Sequence, residues 1–218
     1  MAVDAIIFDF DGVIIDTETP DMEVWQAFYK EHGLDLSPML WLRRVGYNED
    51  DAFDPIKHFE QVTQTKLDEA RRENQYQRYL ERCTNQPVLP GVLNMIQQAK
   101  AQGIKLAIAS SSYYKWVGRW LEKHQLRGYF DCVRTREDVA TGKPAPDLYL
   151  SAVECLGVPK ERCIAIEDSP TGMQAALAAG LRVIAVPNAL TSLMDHPDVT
   201  LTLASLAELD LPALLSRF

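Results

Sequence analysis

The chain has 218 residues, of which 47% are hydrophobic, so it can bury a sizeable core but would form no more than one or two domains. It carries 22 Lys and Arg against 31 Asp and Glu, and this net charge of -9 disfavours a protein that binds a nucleic-acid backbone over a broad surface. The N-terminus lacks a basic leader region, and no segment approaches the roughly 18 uninterrupted apolar residues of a membrane helix. We therefore expect a cytoplasmic protein with neither nucleic acid nor membrane as a partner.

Short runs rich in Val, Ile and Ala recur along the chain and predict strands that are buried on both faces. These runs cover residues 5–9, 104–110, 163–167 and 182–186. The intervening segments predict helices over residues 92–102, 114–124, 147–156 and 170–179. Strands that alternate with helices of this length predict right-handed βαβ units. The expected fold class is therefore α/β, with a Rossmann-like parallel sheet flanked by helices.

The segment between the first two predicted strands breaks this alternation. Residues 17–86 show amphipathic helical periodicity and no convincing buried strand, so we interpret them as an inserted small α-helical domain. The remainder, residues 1–16 and 87–218, would form the α/β core. Residues 84–92, TNQPVLPGV, contain two prolines and a glycine and are predicted to be the return hinge. Three aromatic residues at helical spacing are predicted to form the core of the insert: Trp25, Phe28 and Tyr29.

Polar side chains follow three of the predicted strands at the point where each strand ends. They are Asp9 and Asp11 after the first strand, Ser110, Ser111 and Ser112 after the second, and Glu167, Asp168 and Ser169 after the third. A nearby loop, GKPAPD, adds the cation of Lys143. In an open α/β sheet, ligands bind beyond the carboxyl ends of the strands. These side chains are therefore expected to meet in one site.

Two carboxylate clusters in one site would repel each other strongly unless a cation lay between them. Oxygen ligands suit Mg²⁺ better than a softer metal, so Mg²⁺ is the predicted cofactor. An aspartate beside such a metal can attack phosphorus, while a second carboxyl protonates the leaving oxygen and later deprotonates water. Asp9 and Asp11, spaced i, i+2, would divide these roles. A serine at a helix N-terminus and a lysine would bind the phosphoryl oxygens.

Four segments, in this order, resemble the signature motifs of the haloacid dehalogenase superfamily: DFDGVIIDTE, IASSS, GKPAPD and IEDSPTG. The insert after the first motif resembles the small cap of the phosphatase and β-phosphoglucomutase branch, which implies a mobile lid over the site. The resemblance implies that Asp9 is the nucleophile and Asp11 the general acid and base. It implies phosphate ligands at Ser110, Ser111 and Lys143. It implies metal ligands at Asp9, Asp11 (through its backbone carbonyl), Glu167 and Asp168.

The leading hypothesis is a Mg²⁺-dependent phosphomonoester phosphatase that acts on a small phosphorylated metabolite, such as a sugar phosphate, through an aspartyl phosphate. One alternative is a sugar phosphomutase similar to β-phosphoglucomutase, and another is a phosphate-binding regulatory protein without catalysis. The similar mutases carry a histidine where this chain has Asp21, and their substrate-binding arginine matches Asn48 most nearly. Arg43 or Arg44 is the other candidate for that arginine. A regulatory protein would be expected to have lost a site acid or Lys143, and none is missing.

Other polar residues are predicted to have structural roles. No C-x-x-C spacing joins the four cysteines, which we expect to be core thiols of a reducing compartment rather than zinc ligands or disulfides: Cys83, Cys132, Cys155 and Cys163. Surface positions or hydrogen-bonded side chains are predicted for the histidines: His32, His58, His124 and His196. Thr17 is expected to be only the first residue of the cap and not a catalytic residue, and residues 42–51 resemble the cap's specificity loop in position alone. A monomer is expected, with a dimer as the alternative.

Overall fold

The structure of the protein, a computed structural model, describes residues 3–45 and 52–218. In this part of the chain, six parallel strands form one sheet in the order β3-β2-β1-β4-β5-β6. The strands are β1 (Ala5–Phe8), β2 (Lys105–Ala109), β3 (Cys132–Arg134), β4 (Cys163–Glu167), β5 (Arg182–Ala185) and β6 (Leu201–Thr202). The predicted α/β class with a parallel sheet is confirmed.

Helices flank the sheet and occupy the long connection between β1 and β2. That connection contains α1 (Glu18–Glu31), α2 (Pro38–Trp41), α3 (Pro55–Thr63), α4 (Glu69–Thr84) and α5 (Val92–Ala101). The later helices are α6 (Tyr114–Lys123), α7 (Asp147–Leu156), α8 (Pro170–Ala178) and α9 (Leu211–Leu215). Single turns of 3-10 helix lie at Arg127–Tyr129, Arg136–Asp138, Lys160–Arg162, Thr191–Leu193 and Leu206–Glu208. Among the described residues, no helix combines the length and apolar character needed to span a bilayer.

The predicted strands and helices of the α/β part are present, with ends that differ by a residue or so. β4 and α7 begin and end where the sequence predicts. The sequence does not predict β3 and β6, which have three and two residues and lie at the two edges of the sheet. Strands this short contain too few residues to show a periodic pattern.

The two faces of the sheet carry different side chains, because successive strand residues point to opposite faces. Ile6 and Phe8 of β1 pack with apolar residues of α5, α6 and α9. Ala5 and Ile7 pack on the other face with residues of α7 and α8. That second face also holds small residues of neighbouring strands: Ala107, Ala109, Ala165 and Ala185. Their small side chains leave room for α7 and α8 to lie close to the sheet.

Helices α1, α2 and α3 contribute to a third hydrophobic cluster, distinct from the two that cover the sheet. Trp25, Phe28 and Tyr29 of α1 are buried in it together with Trp41 of α2. The Tyr29 hydroxyl donates a hydrogen bond to the Pro55 carbonyl over 2.7 Å and so joins α1 to the start of α3. The prediction that these three aromatic residues of α1 form a core among the inserted helices is confirmed.

The two ends of the inserted segment lie side by side. Ile15 and Val88 form an antiparallel bridge, and the Leu89 N–H donates to the Ile14 carbonyl over 2.9 Å. The chain therefore leaves the sheet region and returns to it at one place, within the predicted return segment 84–92. The predicted boundaries of the core and the insert stay predictions.

Two of the cysteines differ from the prediction. Cys132, at the start of β3, and Cys155, near the end of α7, form a disulfide with their Cα atoms 6.3 Å apart. The prediction that all four cysteines are thiols is therefore wrong for this pair. The two residues are 23 positions apart in sequence, and only the packing of α7 beside β3 brings them together. Cys83 and Cys163 are buried free thiols, as predicted.

Candidate active site

The turn after β1 brings two acids to the carboxyl edge of the sheet. Asp9 and Asp11 follow Phe8, the last residue of β1. Gly12 then adopts a φ of +82°, a backbone conformation that residues other than glycine rarely adopt. A Cβ at Gly12 would also lie 2.5 Å from Asp168 Oδ2. Glycine is therefore required both for the turn and for the approach of the Asp168 carboxylate.

The end of β4 brings a second group of acids to the same edge. Glu167 is the last residue of β4, and Asp168 and Ser169 lead into α8. Ser169 caps that helix, since its Oγ accepts the Gly172 N–H over 3.2 Å. A Cβ at Gly172 would clash with Glu167 Oε1. The first turn of α8 therefore needs a glycine at this position to make room for the Glu167 carboxylate.

Lys143 joins the two groups of acids. It is 5% exposed, and its Nζ donates to Asp9 Oδ1 over 2.5 Å and to Glu167 Oε1 over 2.6 Å. Burial by itself lowers the pKa of Lys143, but the charges of Asp9 and Glu167 outweigh it and raise that pKa above its ordinary value. The lysine is therefore a permanent cation. Tyr149, which the sequence does not predict as a site residue, donates its hydroxyl to Glu167 Oε1 over 2.6 Å.

Asp9, Glu167 and Asp168 form a buried cluster that can hold a metal ion, because one ligand oxygen from each lies within 4.8 Å of the others. Burial raises the pKa of Asp9 to about 8, although Lys143 lowers it, and the neighbouring carboxylates add to the rise. Burial also raises the pKa of Asp168 well above its ordinary value, and the neighbouring acids again add to the rise. A divalent cation would offset this repulsion and keep the carboxylates ionised. Carboxylate oxygens are ligands that fit Mg²⁺.

Asp11 is held by side-chain donors from three places. Thr17 Oγ1 and Trp116 Nε1 donate to Asp11 Oδ1 over 2.6 and 2.8 Å, and Ser112 Oγ donates to Oδ2 over 2.6 Å. Ser110 Oγ lies 3.5 Å from the same Oδ2. Thr17, which the sequence does not predict as a site residue, makes no capping hydrogen bond to α1 and contacts Asp11 instead. The contact of Trp116 is likewise not predicted by the sequence.

A cavity of about 600 Å³ lies between the sheet edge and the inserted helices. The sheet side contributes Asp9, Asp11, Ser111, Lys143 and Asp168 to its lining. Ser110 and Glu167 are buried next to that lining, through their contacts with Asp11 and Lys143. The structure thus brings all the predicted site residues to one place.

The inserted segment contributes a charged pair and aromatic rings to the same cavity. Arg44 Nε donates to Asp21 Oδ2 over 3.3 Å, and the guanidinium lies 5.5 Å from the centroid of the Trp41 ring. Tyr79 of α4 also lines the cavity. The arginine at this wall is therefore already paired with an acid.

Arg43 and Asn48 are the other candidates for contact with the distal part of a substrate. Arg43 is exposed. Asn48 lies outside the described residues, as does the greater part of the predicted specificity loop 42–51.

Glu18 and Asn188 lie in the site, although the sequence does not predict either of them. Asn188 Nδ2 donates to Glu18 Oε2 over 3.1 Å and to Asp168 Oδ2 over 2.8 Å, and so links the start of α1 to the acidic cluster. The Thr191 N–H donates to Asn188 Oδ1 over 2.9 Å and fixes the orientation of the amide. A signal was available, because Asn188 is a polar residue soon after β5, at the same edge of the sheet.

The histidines are placed largely as predicted. His32 and His196 each pair with a backbone carbonyl at 2.8 Å, and His58 pairs with the Tyr29 hydroxyl at 3.0 Å. His124 is the exception, since its Nε2 is buried and has no hydrogen-bond partner among the described residues. Burial lowers the pKa of His124.

The site, with two acidic groups and a lysine, therefore lies at the carboxyl edge of a parallel sheet, where open α/β sheets bind their ligands. The chain belongs to the haloacid dehalogenase-like hydrolase family, whose profile matches residues 6–186. It is 38% identical over 216 residues to YhcW of Bacillus subtilis (strain 168), a candidate phosphatase by name, with 99% of this chain and 97% of that protein covered.

Two further proteins extend the comparison. The chain is 29% identical over 183 residues to the phosphorylated carbohydrates phosphatase of Thermotoga maritima, with 84% of each chain covered. It is also similar to a CbbY mutant of Rhodobacter sphaeroides solved in complex with xylulose-(1,5)bisphosphate, with a TM-score of 0.72, 28% identity, and 95% and 96% of the two chains covered. Together with the family, these relatives support a haloacid dehalogenase-like phosphatase.

Proposed function

We propose that this chain is a Mg²⁺-dependent phosphatase that hydrolyses a small phosphorylated metabolite, such as a sugar phosphate, through an aspartyl phosphate. The observation that carries the proposal is the buried contact of Lys143 with both Asp9 and Glu167. It puts the candidate nucleophile, a cation for the phosphoryl oxygens and a metal-side acid within one cluster. The substrate class is supported by the Thermotoga phosphatase and by the sugar bisphosphate bound to the CbbY mutant. In this proposal residues 17–86 are the cap over the site.

The first half of the reaction transfers the phosphoryl group to Asp9. A carboxylate oxygen of Asp9 attacks phosphorus, the bond from phosphorus to the ester oxygen breaks, and Asp11 gives its proton to the departing oxygen. Lys143, with Ser110 and Ser111, binds the phosphoryl oxygens and compensates their charge. The alcohol then leaves as a neutral molecule.

The second half returns the enzyme to its starting state. Water attacks phosphorus, Asp11 takes a proton from that water, and the bond from phosphorus to the Asp9 oxygen breaks. Inorganic phosphate is released, and Asp9 and Asp11 are again a carboxylate and a carboxylic acid.

Mg²⁺ would be held by Asp9, Glu167 and Asp168, with the backbone carbonyl of Asp11. When bound, it supplies positive charge that keeps Asp9 ionised and offsets the charge of the phosphoryl oxygens. This positive charge would lower the pKa values of Asp9 and Asp168, which remain above their ordinary range in spite of Lys143.

The charges in the distal part of the cavity weigh against a second phosphate on the substrate, in contrast to the sugar bisphosphate bound to the CbbY mutant. The phosphomutase alternative requires such a second phosphate, so this feature favours the phosphatase. Among the described lining residues the cations are Lys143 and Arg44, and both are paired with acids. The described lining around Arg44 also includes the acids Asp21 and Asp54. A second phosphate held there would meet more negative than positive charge. We infer that the group beyond the scissile phosphate is neutral.

A substrate screen with two variants tests the proposed function. The panel contains an aryl phosphate, sugar phosphates, nucleotides and phosphoglycolate, and β-glucose 1-phosphate is assayed with a trace of glucose 1,6-bisphosphate. We expect inorganic phosphate with little glucose 6-phosphate, no turnover in Asp9→Asn, and turnover slowed by about 10²–10⁴ in Asp11→Asn. Circular dichroism checks that both variants are folded.

Two results would contradict the proposal. Substantial activity in Asp9→Asn would rule out an aspartyl phosphate on Asp9 as the intermediate. Glucose 6-phosphate formed faster than phosphate would establish the mutase, and loss of that product in Arg44→Ala would identify Arg44 as the distal phosphate ligand.

We also propose that the protein acts as a monomer in the cytoplasm. Because disulfides are rare in a reducing compartment, this proposal predicts that Cys132 and Cys155, which are bonded in this structure, are thiols in the cell. Cell fractionation with thiol trapping tests the location, and size-exclusion chromatography with light scattering tests the oligomeric state.

A further inference from the structure

The side chain of Trp116 connects Asp11 to the inserted segment. Its Nε1 donates to Asp11 Oδ1 over 2.8 Å. Its ring stacks on Tyr79 of α4, with the centroids 5.2 Å apart and the planes at 15°. Trp120, one helical turn further along α6, meets the same ring edge-on at 5.3 Å. The indole is therefore fixed by aromatic neighbours on two sides while its N–H contacts one oxygen of Asp11.

The indole differs from the other donors to Asp11. The hydroxyls of Thr17 and Ser112 can rotate and can accept as well as donate a hydrogen bond. The indole N–H can only donate, and the plane of its ring fixes the direction in which it does so. A general acid is effective only within hydrogen-bond reach of the oxygen that it protonates. Trp116 is therefore the donor that restricts where Asp11 Oδ1 can lie.

We propose that Trp116 is a positioning residue for Asp11, and that the stack with Tyr79 keeps Trp116 in place. The inference rests on the proposed role of Asp11 as general acid and base. Through Trp116, helix α4 of the inserted segment determines where Asp11 delivers its proton.

The first test uses Trp116→Phe, which keeps an aromatic ring beside Tyr79 but removes the N–H donor. Two aryl phosphates are compared through kcat/KM, which reports the steps up to release of the alcohol and not the later attack of water. Phenol, with a pKa close to the value of about 10 for tyrosine, needs a proton on leaving much more than 4-nitrophenol does. We expect kcat/KM for phenyl phosphate to fall at least about tenfold more than for 4-nitrophenyl phosphate, and Asp11→Asn to show the same selective loss.

Trp120→Phe is the matched control. It is the same substitution one turn further along α6, and Trp120 Nε1 has no hydrogen-bond partner among the described residues. We expect any loss in this variant to be equal for the two substrates. An equal loss on both substrates in Trp116→Phe, or a selective loss in Trp120→Phe, would overturn the positioning role.

Two further measurements separate this proposal from the proposed function. Adding Trp116→Phe to Asp11→Asn should give no additional selective loss, because Trp116 acts through Asp11. The indole ¹H–¹⁵N signal of Trp116, assigned by its loss in Trp116→Phe, should shift in Asp11→Asn and in Tyr79→Leu but stay in place in Tyr79→Phe. A signal that does not move in Asp11→Asn overturns the inference whatever the activity. If the wild type hydrolyses none of the phosphate esters of the substrate screen, the proposed function is overturned. The indole signal then decides whether Trp116 holds Asp11, and it also decides this if the aryl phosphates alone are not substrates.

Discussion

Asp131 accepts hydrogen bonds from a backbone donor and a side-chain donor next to β3. The Leu106 N–H donates to its Oδ2 over 2.8 Å, and Lys100 Nζ lies 3.0 Å from both carboxylate oxygens. Burial alone raises the pKa of Asp131, but these two donors outweigh burial and lower it. The ionised carboxylate therefore stabilises the folded state and links α5 to β2.

The first prediction concerns the pH dependence of this contribution. Because the folded-state pKa is lowered, the stabilisation is present above the unfolded pKa of about 3.9 and is lost as the pH falls through the folded pKa. Asp131 and Lys100 are partly exposed, so we expect Asp131→Asn to lower the free energy of unfolding at pH 7 by no more than about 1 kcal/mol. Urea denaturation at pH 7 and at a series of lower pH values measures it.

The difference between wild type and Asp131→Asn should shrink as the pH falls below about 4. Asp35→Asn, at an exposed position, is the control and should show no such change. A difference that is the same at every pH would contradict the assignment.

At this scale the sequence predicts most of the carboxylates of the site, but neither Glu18 and Asn188 nor all of the contacts. Asp9, Asp11 and Asp168 are predictable because each follows a strand at the same edge of a parallel sheet. Trp116 and Tyr149 lie inside helices whose periodicity predicts only a buried face. Their polar atoms reach the site because of the orientation in which α6 and α7 pack on the sheet. No pattern in a single sequence predicts that orientation.

At the scale of elements, the disulfide joins an edge strand to the helix that packs beside it. It connects Cys132 of β3 to Cys155 of α7 across 23 residues, and Cys155 lies at the surface. Because β3 has three residues and pairs with β2 on one side only, it has few ladder hydrogen bonds of its own. The covalent link therefore supports the weaker edge of the sheet.

The second prediction is that Cys155→Ser destabilises the protein. A cross-link that closes a loop of this length stabilises by about 3 kcal/mol in the chain-entropy account. We expect a lower melting temperature for Cys155→Ser, measured by scanning calorimetry. Dithiothreitol should lower the melting temperature of the wild type toward that of the variant and leave the variant unchanged. Equal melting temperatures for wild type and variant in non-reducing buffer would show that the bond is absent in solution.

The long elements follow from the sequence, whereas the short ones do not. β4 and α7 are predictable because an apolar run and a helical repeat each extend over a complete element. β3 and β6 depend on pairing with strands that are already in place, so their own few residues carry little information. The disulfide is not predicted either, because it depends on the packing of α7 against β3 and not on a local sequence pattern.

At the scale of the whole molecule, four acids meet around one lysine at the carboxyl edge of the sheet, and they are Asp9, Asp11, Glu167 and Asp168. The third prediction is that a chelator abolishes turnover and that Mg²⁺ restores it. Ca²⁺ should inhibit, because it prefers a larger and less regular coordination shell. Mg²⁺ should also raise the melting temperature of the wild type, since it binds the folded state.

A matched variant separates the metal effect from general salt effects. In Asp168→Asn the Mg²⁺-dependent rise in melting temperature should be reduced, while the response to NaCl should equal that of the wild type. Full activity in the presence of chelator would rule out the metal.

The central place of β1 in the sheet has a consequence for how the protein is made. Ala5 of β1 pairs with Lys105 of β2 on one side and with Cys163 of β4 on the other. During synthesis, β1 therefore leaves the ribosome well before either of its two neighbours in the sheet, β2 and β4. Contacts so distant in sequence slow folding and leave an apolar strand unpaired for part of the process. A nascent chain that stops before β4 contains the candidate nucleophile Asp9 but lacks Glu167 and Asp168. The candidate site is therefore incomplete until β4 has paired with β1.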